Sequence, residues 1–400
     1  MSAPLPSSAP STAPSAALPE GSLRYVQGFR QPGVALALAR QLAEAVEPGR
    51  RYRFMEFCGG HTHALARHGV LGLLPASIRM VHGPGCPVCV LPVGRIDQAI
   101  ALARRPEVIL ASHGDTLRVP ASGPLSLLQA RALGADARVV YAIDDALDLA
   151  RAHPGREVVF LAIGFETTTP PTAVAVQRAA AEGLRNFSVL CNHVLTPAAM
   201  QAILGDPEPV PLDGLVGPAH VSTLIGTRPY AALARAHRLP VVVAGFEPLD
   251  LLQAILMLVR QVNGGRAEVE NQFTRAVREE GNPRAQALVD AVFELREDFA
   301  WRGLGRIPHS ALGLRPAFAD FDAERRFALS DPQVPDHPQC RCGPILQGRC
   351  EPTDCRLFAT VCTPDHPLGA CMVSSEGACA AVFRHGRSRR PPPASPAPSS

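Results

Sequence analysis

Residues 52–63 have the sequence YRFMEFCGGHTH, in which an apolar run ends at a cysteine, two glycines and two histidines. The apolar run predicts a buried strand, and the glycines predict a turn. The same layout returns at residues 157–170, EVVFLAIGFETTTP, where small polar residues follow the glycine. Helical patterns follow both turns. Strand, short turn and helix in succession predict parallel sheets with helical crossovers.

The rest of the chain continues this alternation and then changes character. Further strands are predicted at residues 77–82, 108–112, 138–141, 187–193, 212–216 and 239–244. Helical spacing of apolar residues predicts helices at residues 33–46, 95–104, 126–133 and 146–153 and later at 251–262, 272–280 and 283–294. Beyond these helices the chain is rich in Pro, Gly and Cys, which predicts loops.

We therefore predict an α/β fold with two tandem, related parallel-sheet domains and a C-terminal helical and loop-rich domain. The expected boundaries are residues 22–137, 138–248 and 249–386. The tails, residues 1–21 and 387–400, are Pro-, Ser- and Ala-rich. Such segments bury too little apolar surface to offset the entropy of ordering, so both tails are predicted to be disordered.

Composition excludes several functions. All 39 basic residues are Arg, and the formal net charge is only +3. Because the arginines are spread along the chain, no nucleic-acid surface is predicted. Without Lys there is no phosphate-binding P-loop. Neither a secretory signal nor an apolar run of bilayer length is visible, so we expect no membrane contact and a cytoplasmic protein with reduced thiols.

Reactive side chains recur just after predicted strands, where the ligand sites of parallel sheets lie. These residues are expected to converge on one cleft between the sheets: Cys58, Cys86, His113, Glu166, His193 and His220. For the three histidines, a hydrogen-bonded structural role is an equal alternative. For the loop acids Asp115, Asp144, Asp145 and Glu166, helix capping and turn formation are the favoured roles.

Cysteine clustering is the main chemical signal. Ten of the eleven cysteines fall in three groups: Cys58, the pair Cys86 and Cys89, and seven residues from Cys340 to Cys379. In a reducing compartment such groups indicate metal or redox sites rather than structural disulfides. Sulfur ligands suit iron, zinc or dithiol chemistry.

Cys58 is predicted to be reactive. A helix beginning after it would lower its pKa and favour the thiolate. His61 or His63 lies near enough along the chain to share a metal ion with it. The alternative is a buried structural cysteine next to helix-capping residues.

Cys86 and Cys89 form a C-x-x-C motif in GPGCPVC, residues 83–89. This spacing permits a local disulfide or two-point metal binding, and the neighbouring prolines stiffen the loop. The alternative is half of a structural zinc site whose other ligands come from elsewhere.

The C-terminal cysteines indicate a closed metal site, because the segment has little apolar core of its own. The wide spacing of Cys340, Cys355, Cys362 and Cys379 fits a [4Fe–4S] cluster better than the short pairs of a zinc site. Cys342 can replace Cys340 in this set, and Cys371 can replace Cys379. Cys350 is expected to be passive.

Several strings in this order resemble the HypD family of hydrogenase maturation proteins. They are FMEFCGGHTH at residues 54–63, VHGPGCPVC at 81–89, SHGDT at 112–116, AIGFETT at 162–168, CTP at 362–364 and CMVSSEGAC at 371–379. The resemblance covers residues 22–386. It implies two related α/β domains followed by a domain that carries a [4Fe–4S] cluster.

The resemblance also implies a function. Such proteins bind a small partner, HypC, and together hold one iron while it receives cyanide and carbon monoxide. HypE delivers the cyanide, and the Fe(CN)2CO group then passes to the large subunit of a [NiFe]-hydrogenase. This is an assembly scaffold with a redox role rather than an ordinary turnover enzyme.

On this interpretation Cys58 is the iron ligand and His61 a second ligand or a proton donor. Cys86 and Cys89 bind metal or relay electrons from the cluster as a dithiol. Two alternatives remain open. One is an iron–sulfur-dependent protein disulfide reductase that uses Cys86 and Cys89, and the other is a zinc-stabilised interaction module.

Overall fold

The computed structural model describes residues 26–123, 125–330 and 333–386. Both predicted tails lie outside this range. The helices are Pro32–Ala45 (α1), Gly59–Arg67 (α2), Pro87–Val90 (α3), Val93–Ala103 (α4), Leu127–Ala132 (α5), Ile143–Ala152 (α6), Thr169–Glu182 (α7), Thr196–Leu204 (α8), Ala219–Ile225 (α9), Arg228–His237 (α10), Pro248–Asn263 (α11), Pro283–Val292 (α12), Ala323–Arg326 (α13), Cys342–Leu346 (α14) and Ala378–His385 (α15).

The strands are Tyr52–Glu56 (β1), Ile78–His82 (β2), Val108–Ser112 (β3), Ala137–Val139 (β4), Glu157–Gly164 (β5), Phe187–His193 (β6), Gly214–Pro218 (β7), Val241–Ala244 (β8), Val269–Asn271 (β9), Phe293–Leu295 (β10), Asp298–Trp301 (β11), Gly305–Pro308 (β12) and Leu312–Leu314 (β13). Two parallel sheets dominate, and their orders are β2-β1-β7-β8-β9 and β4-β3-β5-β6.

The central strands are buried on both faces, as parallel sheets covered by helices require. Every residue of β3, β6, β7 and β8 is buried. Their apolar, β-branched runs are the patterns from which the strands were predicted. The α/β class, the parallel sheets and a C-terminal part rich in helices and loops are confirmed.

The order of strands differs from a consecutive arrangement. In the five-stranded sheet β1 pairs with β7, although the whole four-stranded sheet lies between them in the chain. The boundary expected at residues 137 and 138 falls inside β4. The four-stranded sheet is therefore inserted within the chain of the five-stranded one. The sequence analysis did not predict this, because the apolar pattern of a strand does not specify which strand it pairs with.

Residues 272–280 are not helical, in contrast to the sequence prediction. Asn271 Nδ2 donates to the carbonyl of Val277 at 2.9 Å, and Gln272 N donates to the carbonyl of Val243 at 2.9 Å. These bonds hold an irregular turn against the sheet. In the described part of the chain no helix combines the length and the apolarity needed to cross a membrane.

Candidate metal and thiol centre

Cys58 lies two residues beyond β1 and is the N-cap of α2. Its backbone is extended, and its Sγ accepts a hydrogen bond from Gly60 N at 3.3 Å. The helix can begin here because the cysteine sulfur takes the place of the usual N-cap oxygen. Only 1% of Cys58 is exposed. The thiol is thus placed at the carboxyl end of the five-stranded sheet.

Gly85 brings the two cysteine motifs together. A Cβ at this position would lie 2.2 Å from Cys58 N, so only glycine permits this backbone approach. Gly59 N donates to Gly85 O at 3.2 Å, and Gly83 N donates to Glu56 O at 2.9 Å. The turn before Cys86 is therefore fixed against the turn that holds Cys58.

His220 is the imidazole nearest to the Cys58 sulfur. It follows β7 in the first turn of α9, and its Nδ1 lies 3.5 Å from Cys58 Sγ. Burial lowers the pKa of His220 to about 4, so the ring is neutral at pH 7. The pair is therefore a sulfur beside a neutral imidazole, the two donor types that most often bind transition metals.

The expectation that Cys58 has a lowered pKa is wrong. Burial raises the pKa of this thiol well above its ordinary value, and the charge of Glu376 raises it further. Hydrogen bonds from the backbone N–H groups of α2 lower the pKa of Cys58, but this effect is smaller than the rise caused by removing the thiol from water. Cys58 is therefore a protonated thiol at neutral pH until a cation replaces the proton.

Glu56 organises the turn below Cys58. Its carboxylate accepts hydrogen bonds from Cys58 N at 3.0 Å, from His82 Nδ1 at 3.0 Å and from the Thr62 hydroxyl. The side chain is 1% exposed, and burial raises its pKa. Three donors around one carboxylate hold β1, β2 and α2 in a single arrangement.

His61 is close to this centre but does not contact the Cys58 sulfur in this structure. Its Nε2 lies 2.9 Å from Ala244 O, and its ring stacks on Phe246 with centroids 4.9 Å apart. Burial lowers its pKa to about 4. His63 contacts a different part of the chain, with Nδ1 3.2 Å from Ser375 O. The sequence spacing allowed either histidine, and His61 was the one predicted as a second ligand or proton donor.

Cys86 and Cys89 are joined by a disulfide, with Cα atoms 5.2 Å apart. Cys86 caps α3, and Pro87 occupies its first turn. In this oxidised form neither sulfur is a thiolate, so metal binding by the pair would require its reduction. Helix α3 packs against the 3-10 turn Ala370–Met372, which contains Cys371.

Six of the seven C-terminal cysteines come together. Five of them line one small apolar cavity that Ile345, Leu357, Phe358 and Met372 also line: Cys340, Cys342, Cys355, Cys362 and Cys379. Cys371 contacts this group through Cys342. Cys350 is partly exposed and does not line the cavity. All four cysteines predicted as cluster ligands are thus among the lining residues.

Cys342 lies at the centre of the thiol contacts. It is hydrogen-bonded to Cys340, Cys371 and Cys379, and these contacts lower its pKa while they raise the pKa of each neighbour. Cys371 and Cys342 are both buried. Cys342 and Cys371, which were predicted as possible substitutes for Cys340 and Cys379, therefore contact each other.

The cavity suits a thiolate-bound iron–sulfur cluster. All of its potential metal donors are sulfurs, and its other walls are apolar. Gly369 has no room for a side chain, since a Cβ there would lie 2.5 Å from Cys340 Sγ and 2.7 Å from Cys342 Sγ. Leu368 N donates to Cys362 Sγ at 3.4 Å, a contact of the type that tunes cluster sulfurs.

Within residues 26–123, 125–330 and 333–386, no three His, Cys, Asp or Glu side chains are arranged around one point as ligands of a single metal ion.

The other strand-end residues have structural contacts. His193 is buried, with Nε2 2.9 Å from Thr172 Oγ1 and Nδ1 3.4 Å from Thr168 Oγ1. Glu166 accepts hydrogen bonds from Thr196 N at 2.8 Å and from Thr196 Oγ1 at 2.9 Å. His113 lies 3.4 Å from Val140 O. Of the six residues predicted to converge, Cys58 contacts His220, and the turn before Cys86 packs against the turn that holds Cys58.

Sequence reasoning missed two residues near Cys58. Glu376 lies next to Gly59, where a Cβ would lie 2.5 Å from the Glu376 Cβ. Phe246 contacts both imidazoles, with a centroid distance of 5.2 Å to His220. Glu376 stands in the quoted string of residues 371–379, so its motif was visible, but its role was not.

Comparison with known proteins gives a consistent result. Residues 34–386 match the HypD family model, described as the hydrogenase formation hypA family. The chain is 61% identical over 370 residues to the hydrogenase maturation factor HypD of Cupriavidus necator, with 91% of this chain and 98% of that protein covered.

Two further relatives agree. The hydrogenase expression/formation protein HupD of Azotobacter chroococcum is 61% identical over 372 residues, covering 92% of this chain and 98% of that protein. HypD of Escherichia coli is 46% identical over 368 residues, covering 91% and 98%.

Proposed function

The chain belongs to the HypD family of hydrogenase maturation factors, and from this premise we propose that it is the scaffold on which the Fe(CN)2CO group is assembled. The iron is the cargo. Cys58 holds it through Sγ, and His220 or His61 supplies a second donor or moves a proton. The observation that carries this proposal is the 3.5 Å contact between Cys58 Sγ and His220 Nδ1 at the end of the five-stranded sheet.

The charges around Cys58 support a cation site. The carboxyl groups of Glu56, which is buried, and of Glu376, which is exposed, oppose formation of a lone thiolate, and both raise its pKa. The same negative charges favour an arriving Fe²⁺, which displaces the thiol proton on binding. The neutral imidazole of His220 can bind the same iron as a second donor, and the thiol proton is released to solvent.

The small number of protein donors supports a scaffold rather than a closed metal site. One sulfur and one or two imidazoles leave coordination positions for cyanide, carbon monoxide and a ligand from a partner. We propose that a HypC-like small protein supplies that ligand and a HypE-like protein supplies the cyanide. The completed group then passes to the large subunit of a [NiFe]-hydrogenase.

The thiol cavity supports a resident [4Fe–4S] cluster held by Cys340, Cys355, Cys362 and Cys379. When bound, such a cluster supplies single electrons. The Cys86–Cys89 disulfide is the group that two electrons and two protons would convert to a dithiol. Packing of α3 against residues 370–372 brings this pair next to the thiol-rich domain, which supports a redox role.

Substitution of Cys58 by Ser tests the proposal. The variant is expected to keep the iron of the cluster, lose the additional iron and fail to mature a hydrogenase. Cys191→Ser is the matched control, because Cys191 is a buried free thiol outside the three cysteine groups. Normal maturation by Cys58→Ser, with Cys191→Ser equally active, would contradict the proposal.

A protein disulfide reductase is the second candidate, and the Cys86–Cys89 disulfide beside the thiol cavity favours it. This function uses neither Cys58 nor His220. If Cys58→Ser reduces a disulfide substrate as fast as the wild type and the wild type carries no iron beyond its cluster, the reductase is the better description.

A further inference from the structure

The turn between β8 and α11, residues 244–247, holds both imidazoles near Cys58. Ala244 O lies 2.9 Å from His61 Nε2. The Phe246 ring stacks on His61 at 4.9 Å and contacts His220 at 5.2 Å. The same ring limits the space at Gly60, where a Cβ would lie 3.0 Å from it. The position of this turn therefore sets where both histidines stand.

The contact with Ala244 also fixes the tautomer of His61. A backbone carbonyl only accepts hydrogen bonds, so Nε2 carries the hydrogen and Nδ1 keeps its lone pair. Nδ1 is buried and has no hydrogen-bond partner among the described residues. A buried nitrogen of this kind without a partner is costly unless something binds it. The turn thus holds His61 so that Nδ1, with its lone pair and no hydrogen-bond partner among the described residues, is close to the proposed iron site.

Two side chains, those of Gln272 and Arg275, hold the turn. Gly245 N donates to Gln272 Oε1 at 3.2 Å, and Gln272 Nε2 donates to Asp250 Oδ1 at 2.9 Å. Arg275 makes two hydrogen bonds to Asp250, from Nη1 to Oδ1 at 2.8 Å and from Nη2 to Oδ2 at 2.6 Å. Asp250 is fully buried in the first turn of α11, where it accepts a bond from Glu247 N at 3.2 Å. Arg275 is thereby connected to the residue that directly follows Phe246.

Aromatic packing fixes the guanidinium from both sides. The Arg275 Cζ lies 3.9 Å from the ring centres of both Phe29 and Phe273. A planar guanidinium can stack between two rings and pair with a carboxylate in its own plane, whereas an ammonium group cannot do both. Gly245 packs closely against Asp250, since a Cβ added at this position would lie 2.3 Å from Asp250 Oδ2.

We propose that Arg275 is a positioning residue for the iron site, acting through Asp250 and the 244–247 turn to hold His61 and His220 in place near Cys58. Arg275 does not touch the site itself. The inference rests on the proposed function, because it assigns the two imidazoles a task in iron binding.

Two substitutions test the proposal, with a matched control. Arg275→Lys keeps the charge opposite Asp250 but loses the stacked plane, and Arg275→Leu loses both. Arg228→Leu is the control, because Arg228 is a surface residue paired with Glu279 and both side chains are about two-thirds exposed. The protein is prepared anaerobically with its cluster oxidised, and absorption of the cluster and the melting temperature monitor folding.

The first readout is the tautomer of His61, measured by long-range proton–nitrogen NMR with ¹⁵N-labelled histidine and assigned through His61→Gln. The wild type and Arg228→Leu are expected to show hydrogen on Nε2 alone, and Arg275→Lys a mixture of tautomers. The second readout is the affinity for Fe²⁺ beyond the cluster iron. It is expected to fall about 10-fold in Arg275→Lys and about 100-fold in Arg275→Leu, the range found for residues that orient metal ligands.

The proposal is overturned if Arg275→Lys retains the single His61 tautomer and the wild-type iron affinity. If Arg275→Leu loses its cluster or its folded structure, Arg275→Lys alone decides. If the wild type binds no iron beyond its cluster, the proposed function fails, and the tautomer comparison still decides whether Arg275 orients His61.

Discussion

At the scale of single residues, the chemistry of Cys58 follows from its burial. A thiol with a raised pKa must lose its proton when Fe²⁺ binds. Because the group is protonated below its raised pKa, one proton is released for each iron bound at neutral pH. The affinity for Fe²⁺ should therefore rise about 10-fold per pH unit between pH 6 and 8. Competition with a chelator, corrected for the chelator's own protonation, measures this, and an affinity independent of pH would rule out the protonated thiol.

His220 gives a second prediction at this scale. His220→Gln removes the imidazole 3.5 Å from the Cys58 sulfur and should weaken iron binding about 10- to 100-fold, while the cluster stays intact. His237→Gln is the control, since His237 lies on the surface and, within the described part of the chain, Gln201 is its one hydrogen-bond partner. Equal iron affinity of the two variants would show that His220 does not bind the iron.

At the scale of secondary structure elements, the contact between the turns after β1 and β2 depends on Gly85. Gly85→Ala would place a Cβ 2.2 Å from Cys58 N and should destabilise the protein by about 1–3 kcal/mol or more. Gly155→Ala is the control, because no atom lies within 4 Å of a Cβ there. Urea denaturation of both variants is the measurement. An equal effect of the two substitutions would mean that the turns are free to separate.

The packing of α4 against β6 and α13 contains a buried ion pair. Arg95 is 2% exposed, and its Nη2 donates to Glu324 Oε1 at 2.6 Å, while Arg296 Nη2 donates to the same oxygen at 2.5 Å. Burial alone would raise the pKa of Glu324, but the two arginines outweigh it and lower the pKa to about 2.

Glu324→Gln leaves the buried Arg95 charge unpaired and should cost about 3–5 kcal/mol at pH 7. Because the folded-state pKa is lowered, this contribution is present above pH 4.5 and is lost as the pH falls toward 2. The exposed pair of Arg151 and Glu182 provides the control, and Glu182→Gln should cost less than about 1 kcal/mol. Denaturation curves at pH 7 and pH 3 give both values; a pH-independent loss would exclude the ionised pair.

Whether a segment forms a helix or a strand was easier to predict from the sequence than which other segment it packs against. β3 and β6 have the predicted bounds, because each is a mainly apolar run of strand length that ends in polar residues. The hairpin β11–β12 was missed, since each strand has four residues and only Ile307 of β12 is buried. The pairing of Cys58 with His220 spans 162 residues and was open to prediction only as a shared strand-end position.

At the scale of the whole molecule, the sites depend on elements that are distant in sequence. The five-stranded sheet is completed only after the four-stranded sheet, and α15 then packs back on α2 beside Cys58. Glu376, which precedes α15, comes to lie next to Gly59 and close to Cys58 by this route. Sequence motifs identified the cysteines, but only the fold brings the C-terminal domain to the first turn of α2.

The thiol cavity gives a prediction for the whole domain. Cys355→Ser should remove the broad visible absorption of the cluster and lower the melting temperature, because a metal site supplies folding free energy to this loop-rich segment. Cys350→Ser should change neither, since Cys350 lies outside the cavity. Anaerobic absorption spectra and metal analysis are the measurements. A colourless wild type with stoichiometric zinc would contradict the cluster.

The central claim is that the Cys58 sulfur holds an iron that carries diatomic ligands. The most direct measurement is the infrared spectrum of the anaerobic complex with its small partner, recorded for the wild type and for Cys58→Ser. We expect cyanide and carbonyl stretching bands in the wild type and none in the variant. The same bands in both proteins would contradict the claim.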